Sequence, residues 1–236
     1  MAVLQINDIT SGYGRTKVLH NLSLSIPTGK VTAIVGRNGS GKTTLIRTIM
    51  GYNKLHSGTI SIEGQSIERQ GTAARARAGL GYVPQGRHIF PDLTVAENLE
   101  MGMNVSSDVP NRKLLMKEIH EMFPILDERR RQKGGTMSGG QQQMVAIGRA
   151  LVGNPKLLLL DEPSEGIQPS IVGEIEQHIV QLRDRMGLTV LVAEQDVTLI
   201  KTVADICHVL DMGRIIATLK REEFAGTDAL EQHLAL

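Results

Sequence analysis

The chain has 236 residues, 41% of them hydrophobic and 22% charged, with a net charge of +1. That is enough apolar material for one large α/β domain, or for a core carrying an inserted lobe. The scattered charge and an aromatic content of 3%, with no Trp, argue against nucleic acid as a partner, because neither a basic field nor a row of stacking platforms is present.

The first residues lack the charged start and long apolar run of a signal peptide, and no later run approaches the ~20 apolar residues of a membrane span. The chain is therefore expected in the cytosol by itself, and at a membrane only through a partner. Residues 3–9 and 18–26 alternate apolar and polar, as half-buried strands do, and Pro27-Thr28-Gly29-Lys30 reads as the turn into a buried strand at 31–35. Between the first two, Ser11-Gly12-Tyr13-Gly14 sets an aromatic ring on a Gly-flanked loop. Tyr13 suits the stacking of an adenine, worth about 1–3 kcal/mol by analogy with base stacking. A surface tyrosine in a hairpin turn is the plain alternative, and the sequence leaves both open.

Gly36-Arg37-Asn38-Gly39-Ser40-Gly41-Lys42-Thr43 fits the phosphate-binding pattern G-x-x-x-x-G-K-[ST] residue for residue, between a buried strand and a helix predicted from Thr44 to Gly51. The glycines let backbone N–H groups turn toward phosphate oxygens, and the helix aims the positive end of its dipole at the same anion. Lys42 can reach the β- and γ-phosphates, and the Thr43 hydroxyl is a ligand for Mg²⁺. Residues 58–64 give another short strand, so an antiparallel sheet is expected beside the nucleotide core.

Gly81-Tyr82-Val83-Pro84-Gln85-Gly86 ends a strand on a polar amide. Thr94-Val95-Ala96-Glu97 then has capping-box spacing, announcing a helix through Leu99 and Met101, and residues 111–123 follow with Leu115 and Ile119 on one face until Pro124 interrupts. Residues 85–153 read as an all-helical insert. Its methionines, Met101, Met103, Met116, Met122, Met137 and Met144, suit a core, or in part a surface that repacks against another protein. A second glycine loop, Ser138-Gly139-Gly140-Gln141, leads into a helix predicted over 144–151; Ser138 and Gln141 form a capping box, and the same N–H groups suit a phosphate.

Lys156-Leu157-Leu158-Leu159-Leu160-Asp161-Glu162 is an apolar run of the kind found in buried parallel strands, whose carboxyl ends bind ligands. Asp161 is placed to support Mg²⁺, and Glu162 to accept a proton from an attacking water; two carboxylates capping a turn before Pro163 are the alternative. Pro169 opens a helix through Ile171, Ile175, Ile179 and Leu182 to Gly187, and residues 188–193 form the next buried strand, ending at Glu194-Gln195-Asp196. Near the end, Cys207 and His208 lie on opposite sides of a strand, so a buried inert thiol is favoured over a metal site. The lone cysteine excludes an internal disulfide. A turn at Asp211-Met212-Gly213-Arg214, a strand over 215–219 and short polar helices close the chain.

Taken in this order, the parts resemble the ATP-binding subunit of an ABC transporter. The Gly36 loop is similar to its Walker A motif, Gln85 to its Q-loop, Ser138-Gly139-Gly140-Gln141-Gln142 to its signature motif, and residues 157–162 to its Walker B motif with the adjoining Glu. The resemblance implies an α/β P-loop NTPase with a RecA-like core, an N-terminal antiparallel β-subdomain and an inserted α-helical subdomain. Residues 1–84 and 154–236 would form the core with the β-subdomain, and residues 85–153 the helical subdomain. It implies ATP and Mg²⁺ as cofactors. Arg37, Asn38, Gly39, Ser40 and Thr44 would join Gly36, Gly41, Lys42, Thr43 and Tyr13 around the nucleotide, Thr43, Gln85 and Asp161 would serve the metal, and Glu162, Lys42 and Gln195 would act in hydrolysis.

Gly86-Arg87-His88-Ile89-Phe90-Pro91, Gly135-Thr136-Met137 and Ser164-Glu165-Gly166-Ile167-Gln168-Pro169-Ser170 resemble the ATPases of importers for branched-chain amino acids and for urea or short amides, with a lean to the amides on the local pattern. The resemblance implies a pair of ATPases, usually non-identical sisters, facing head to tail so that Ser138 to Gln141 of one complete the nucleotide site of the other. It also implies permease subunits on the inner membrane, moved through Gln85 and the groove around Arg87 to Phe90. Two positions depart from the common pattern. Gln195 stands where many such ATPases carry a His, so a cationic role is lost there, and Gln168 stands where an Asp is usual. A non-transport ABC ATPase and an ATP-gated module with little hydrolysis are the alternatives.

Overall fold

Alternating apolar and polar residues lay down β1 (Ala2–Tyr13) and β2 (Thr16–Pro27), which pair antiparallel from Ala2 opposite Pro27 to Tyr13 opposite Thr16. The computed structural model describes residues 2–105, 109 and 111–235. The fully buried β3 (Val31–Val35) runs into the phosphate loop and α1 (Lys42–Met50), followed by β4 (Lys54–Ile62), β5 (Gln65–Ser66), α2 (Thr72–Arg77) and β6 (Leu80–Val83). Strands β2, β1, β4 and β5 form one sheet in that order. Strand β4 is longer than expected because it passes through Gly58 at φ +89°, where a Cβ would strike the backbone of Asn7, Asp8 and Ile9.

Between β6 and the next strand the described residues are helical: α3 (Val95–Met103), α4 (Arg112–Met122), α5 (Pro124–Glu128), a 3-10 turn at Gly134–Thr136, and α6 (Gly139–Leu151). Helix α3 starts on the expected capping box, with Thr94 Oγ1 accepting from Glu97 N and the Glu97 carboxylate accepting from Thr94 N. Helix α6 starts at Gly139 rather than Met144, since the Ser138–Gln141 box closes the first turn around both glycines.

The chain then returns through β7 (Leu157–Asp161), α7 (Pro169–Met186), β8 (Thr189–Glu194), α8 (Val197–Val203), β9 (Ile206–Asp211), β10 (Arg214–Lys220), α9 (Arg221–Phe224) and α10 (Ala229–Ala235). These complete a six-stranded sheet ordered β10-β9-β3-β8-β7-β6, parallel except for β10. Both α2 and α8 are additions to the sequence reading. Helix α8 is fixed by Asp196, whose Oδ1 accepts from Thr198 N and Leu199 N.

Residue alternation along β7 sorts the core. Leu157 and Leu159 pack with α1 and the antiparallel sheet, whereas Leu158 and Leu160 pack with α6 and α7 on the opposite face. Every β7 side chain is thereby buried, so the strand end carrying Asp161 is held on both sides. Met122, Met137 and Met144 are core, Met103 and Met116 flank it, and Met101 is 44% exposed.

Cys207 is buried beneath α8, α9 and α10, and burial pushes its thiol up to about 12. His208 faces the other way. Its Nδ1 meets Thr218 Oγ1 at 2.8 Å, its Nε2 is buried without a partner, and burial brings its pKa down from 6.5 to about 4. Because the folded state resists the proton, this stability is complete above the unfolded pKa and is lost as pH falls from 6.5 through about 4. His208→Gln should flatten that part of the pH dependence by up to about 3 kcal/mol, read from urea unfolding at neutral and mildly acid pH. An unaltered pH slope would remove His208 as its source.

Candidate functional site at the carboxyl edge of the sheet

The starts of α1, α3 and α6 differ. Helices α3 and α6 are closed by side chains from Thr94 and Ser138, but α1 begins at Gly41, φ +110°, with no side-chain cap. Its first N–H groups, those of Lys42, Thr43 and Thr44, have no carbonyl one turn back. An uncapped helix start behind a glycine loop is an anion site by construction. The buried Ser40 Oγ also has no protein partner, and it closes against Gly36, where a Cβ would collide with it. Such a loop fits a phosphate chain. Asn38 and Gly39 form its exposed tip, while Arg37 turns outward and its Nε donates to Leu234 O of α10 at 2.7 Å.

Lys42 is almost completely buried, and its ammonium has a partner for each of its three protons. They are Gly36 O at 2.9 Å, Arg37 O at 3.3 Å and Glu162 Oε1 at 3.2 Å. Glu162 lies just past β7 at φ +47°, a conformation disfavoured for a residue with a side chain, and its N–H is anchored on Ala193 O. Gln85 closes the group from the turn after β6, its Nε2 donating to Glu162 Oε2 at 3.4 Å.

Thr43 Oγ1 donates to Asp161 Oδ1 at 3.1 Å, so hydroxyl and carboxylate converge across two elements that are 118 positions apart in sequence. Burial, more than any other influence, pushes Asp161 up to about 6; neighbouring Glu162 adds to the rise, and the Thr43 hydrogen bond opposes it. A buried carboxylate of this kind is relieved by a cation. With the carbonyl oxygen of Gln85, the donor set is all hard oxygen, which fits Mg²⁺. Tyr82 makes a long contact to the other Asp161 oxygen, 3.5 Å.

Tyr13 terminates β1 and does not sit on a free loop. Its ring is 47% exposed beside α1, with Thr44 Oγ1 donating to its hydroxyl at 3.4 Å and the Arg47 guanidinium 5.9 Å from the ring centre. Tyr13, residues 36–44, Gln85, Asp161 and Glu162 thus come together. Gln195 is exposed on the adjoining edge, past β8. Among the described residues, no hydrogen bond joins Ser138, Gly139, Gly140 or Gln141 to the Gly36 loop. They lie at the start of α6, where Gly140 faces Ile171 so closely that a Cβ would overlap it. Gln168 is the N-cap position of α7 and makes no side-chain cap there.

The sequence reading gave no role to Glu194. This buried carboxylate accepts from Ser164 Oγ at 2.8 Å, Ser164 N at 3.3 Å, Gln195 N at 2.7 Å and Asp196 N at 3.2 Å. It ties the turn after Glu162 to the loop bearing Gln195. Its one sequence signal is a carboxylate ending an otherwise apolar strand.

Residues 19–165 match the sequence family described as ABC transporter. The high-affinity branched-chain amino acid transport ATP-binding protein BraG of Pseudomonas aeruginosa is 42% identical over 91% of this chain and 91% of its own. The lipopolysaccharide export system ATP-binding protein LptB of Haemophilus influenzae is 34% identical over 98% of this chain and 96% of its own. Among solved structures, a dimeric post-hydrolysis state of the ATP-binding cassette MJ0796, bound to ADP and Pi, superposes with a TM-score of 0.79 at 26% identity, covering 92% of this chain and 98% of that one.

If Lys42 holds phosphate through a charge-assisted hydrogen bond, Lys42→Ala should weaken ATP binding about 10- to 100-fold by calorimetry. An unchanged Kd would take Lys42 off the phosphate.

Proposed function

Because the chain belongs to the ABC transporter family of ATP-binding subunits and is an ATPase coupled to transport, we propose that it energises an importer for branched-chain amino acids. The observation that carries the reading is the convergence of Lys42, Thr43, Asp161 and Glu162 on one uncapped helix start. The likeness to BraG over nearly the whole chain supports the substrate class ahead of urea or short amides, and ahead of the lipopolysaccharide export named for LptB.

Bound Mg²⁺ would supply charge neutralisation at the phosphates, held by Thr43 and Asp161 with Gln85 beside them. The chain's own residues do the rest. A γ-phosphate oxygen competes with Glu162 for the third proton of Lys42, and the exchange leaves the Glu162 carboxylate free to orient a water and take its proton. Gln195 can hydrogen-bond the same phosphate or water but cannot become cationic. Tyr13 offers its exposed ring to the adenine.

Ser138 to Gln141 lie outside this cluster, so they are read as completing the nucleotide site of a second ATPase subunit, facing head to tail; the dimeric MJ0796 cassette supports the pairing. A non-identical sister is the partner proposed here. No helix among the described residues is long and apolar enough to cross a membrane. A cleft of about 760 Å³ between α1–α2 and the helical insert, lined by Tyr52, Tyr82, Phe90, Met101 and Arg149, offers apolar surface for a permease segment at the cytoplasmic face of the membrane. Residues 85–153 are accordingly proposed as the helical subdomain that meets the permease.

Reconstitution with the cognate permease subunits and sister ATPase in proteoliposomes tests the whole reading. ATP should drive uptake of leucine, isoleucine or valine, and Glu162→Gln should cut hydrolysis about 10²- to 10⁴-fold while ATP still binds. Uptake of urea, or extraction of lipopolysaccharide, would replace the proposed substrate; undiminished hydrolysis would remove Glu162 from the chemistry.

A further inference from the structure

Three consecutive residues after Gln85 adopt left-handed backbone: Gly86 at φ +77°, Arg87 at +70° and His88 at +47°. For Arg87 and His88 this costs on the order of 1 kcal/mol or more each, and such a conformation persists only where neighbours impose it. The neighbour is Arg149 of α6. Its Nη2 donates to His88 O at 2.9 Å and to Arg87 O at 3.4 Å, and its guanidinium lies 5.2 Å from the ring centre of Phe90.

The strained turn sends the Arg87 side chain to a different segment of the chain. Its Nη2 donates to Glu165 O at 3.1 Å and Gly166 O at 3.2 Å, in the turn that follows Glu162. The same guanidinium packs on Gly139 so closely that a Cβ there would stand 3.3 Å from both of its terminal nitrogens. One planar cation thus joins the segment after Gln85, the start of α6 and the turn at 165–166. A positive charge at a helix N-terminus is unfavourable to the helix dipole, and the two carbonyls of the turn offset it. Among the described residues, no hydrogen bond links Arg87 to residues 36–44, Asp161 or Glu162.

The geometry points to Arg87 as a positioning residue for the half-site this chain offers to the other ATPase subunit: it holds the start of α6 and the turn at 165–166 in one fixed arrangement and ties both to the loop beside the permease cleft. The inference rests on the two-subunit reading above. The guanidinium spans two separate segments: it donates to both carbonyls of the turn at 165–166 and packs on Gly139 at the start of α6.

The test compares Arg87→Ala and Arg87→Lys with the parent, in whichever assembly hydrolyses ATP, the chain alone or with its sister. Arg87→Ala should leave ATP binding to the isolated chain within about twofold, yet lower kcat and weaken ATP-driven pairing each about tenfold. Lys, with a point charge in place of the fork, should recover part of the loss. Wild-type kcat and pairing in both variants, or a fall in kcat matched by an equal loss of ATP affinity, would overturn the assignment. Failure of the parent itself to pair with ATP, alone or with its sister, would strike the two-subunit reading instead, and this inference with it.

Discussion

The account depends on one buried ammonium with three acceptors. Lys42 is withdrawn from water, so each of its protons must find an oxygen, and it finds two carbonyls of its own loop and the Glu162 carboxylate. A buried ion pair of this kind contributes little net stability, and breaking it without replacement is expensive. It therefore favours an incoming anion that can take the place of the carboxylate. In the proposed mechanism, binding and catalysis are linked through that exchange, because the group that gives up Lys42 is the one proposed to act on water.

The rest of the fold keeps the exchange in register. Burial on both faces of β7 fixes Asp161, the left-handed turn fixes Glu162, and Glu194 holds the following turn to the loop after β8. The edge of the parallel sheet thus has several anchors, at the ends of β7 and β8. The helical insert is attached to this edge through Gln85 and through the pair of arginines that clamp the turn after it. A shift of the insert would reach Glu162 by that route.

Much of this was legible in the sequence, for local reasons. The Gly36 loop, the capping boxes at Thr94 and Ser138 and the apolar run ending in Asp161 and Glu162 each announce themselves within a few residues. What stayed hidden depends on distant pairing. Tyr13 lies on a strand because β1 continues pairing with β2 as far as the hairpin. Helix α6 starts five residues early because two glycines are needed where Ile171 and Arg87 press on its first turn. Glu194 reads as one more strand-end carboxylate until the turn at Ser164, 30 residues away, is folded against it. Arg87 reads as loop until its two acceptors arrive from the far side of α6.

The central claim, that a second subunit completes the nucleotide site, has a direct chemical readout. Cys207 is buried with its thiol pushed up to about 12, so it leaves a clean background for introduced thiols. Asn38→Cys and Ser138→Cys, placed together in a Glu162→Gln chain, would bring the tip of one phosphate loop against the glycine helix start of its neighbour. On mild oxidation, alone and beside a sister carrying the counterpart cysteines, a disulfide-linked pair should form with Mg²⁺ and ATP and should be absent without nucleotide. No linked pair with ATP in either setting, or the same yield with and without it, would contradict the account.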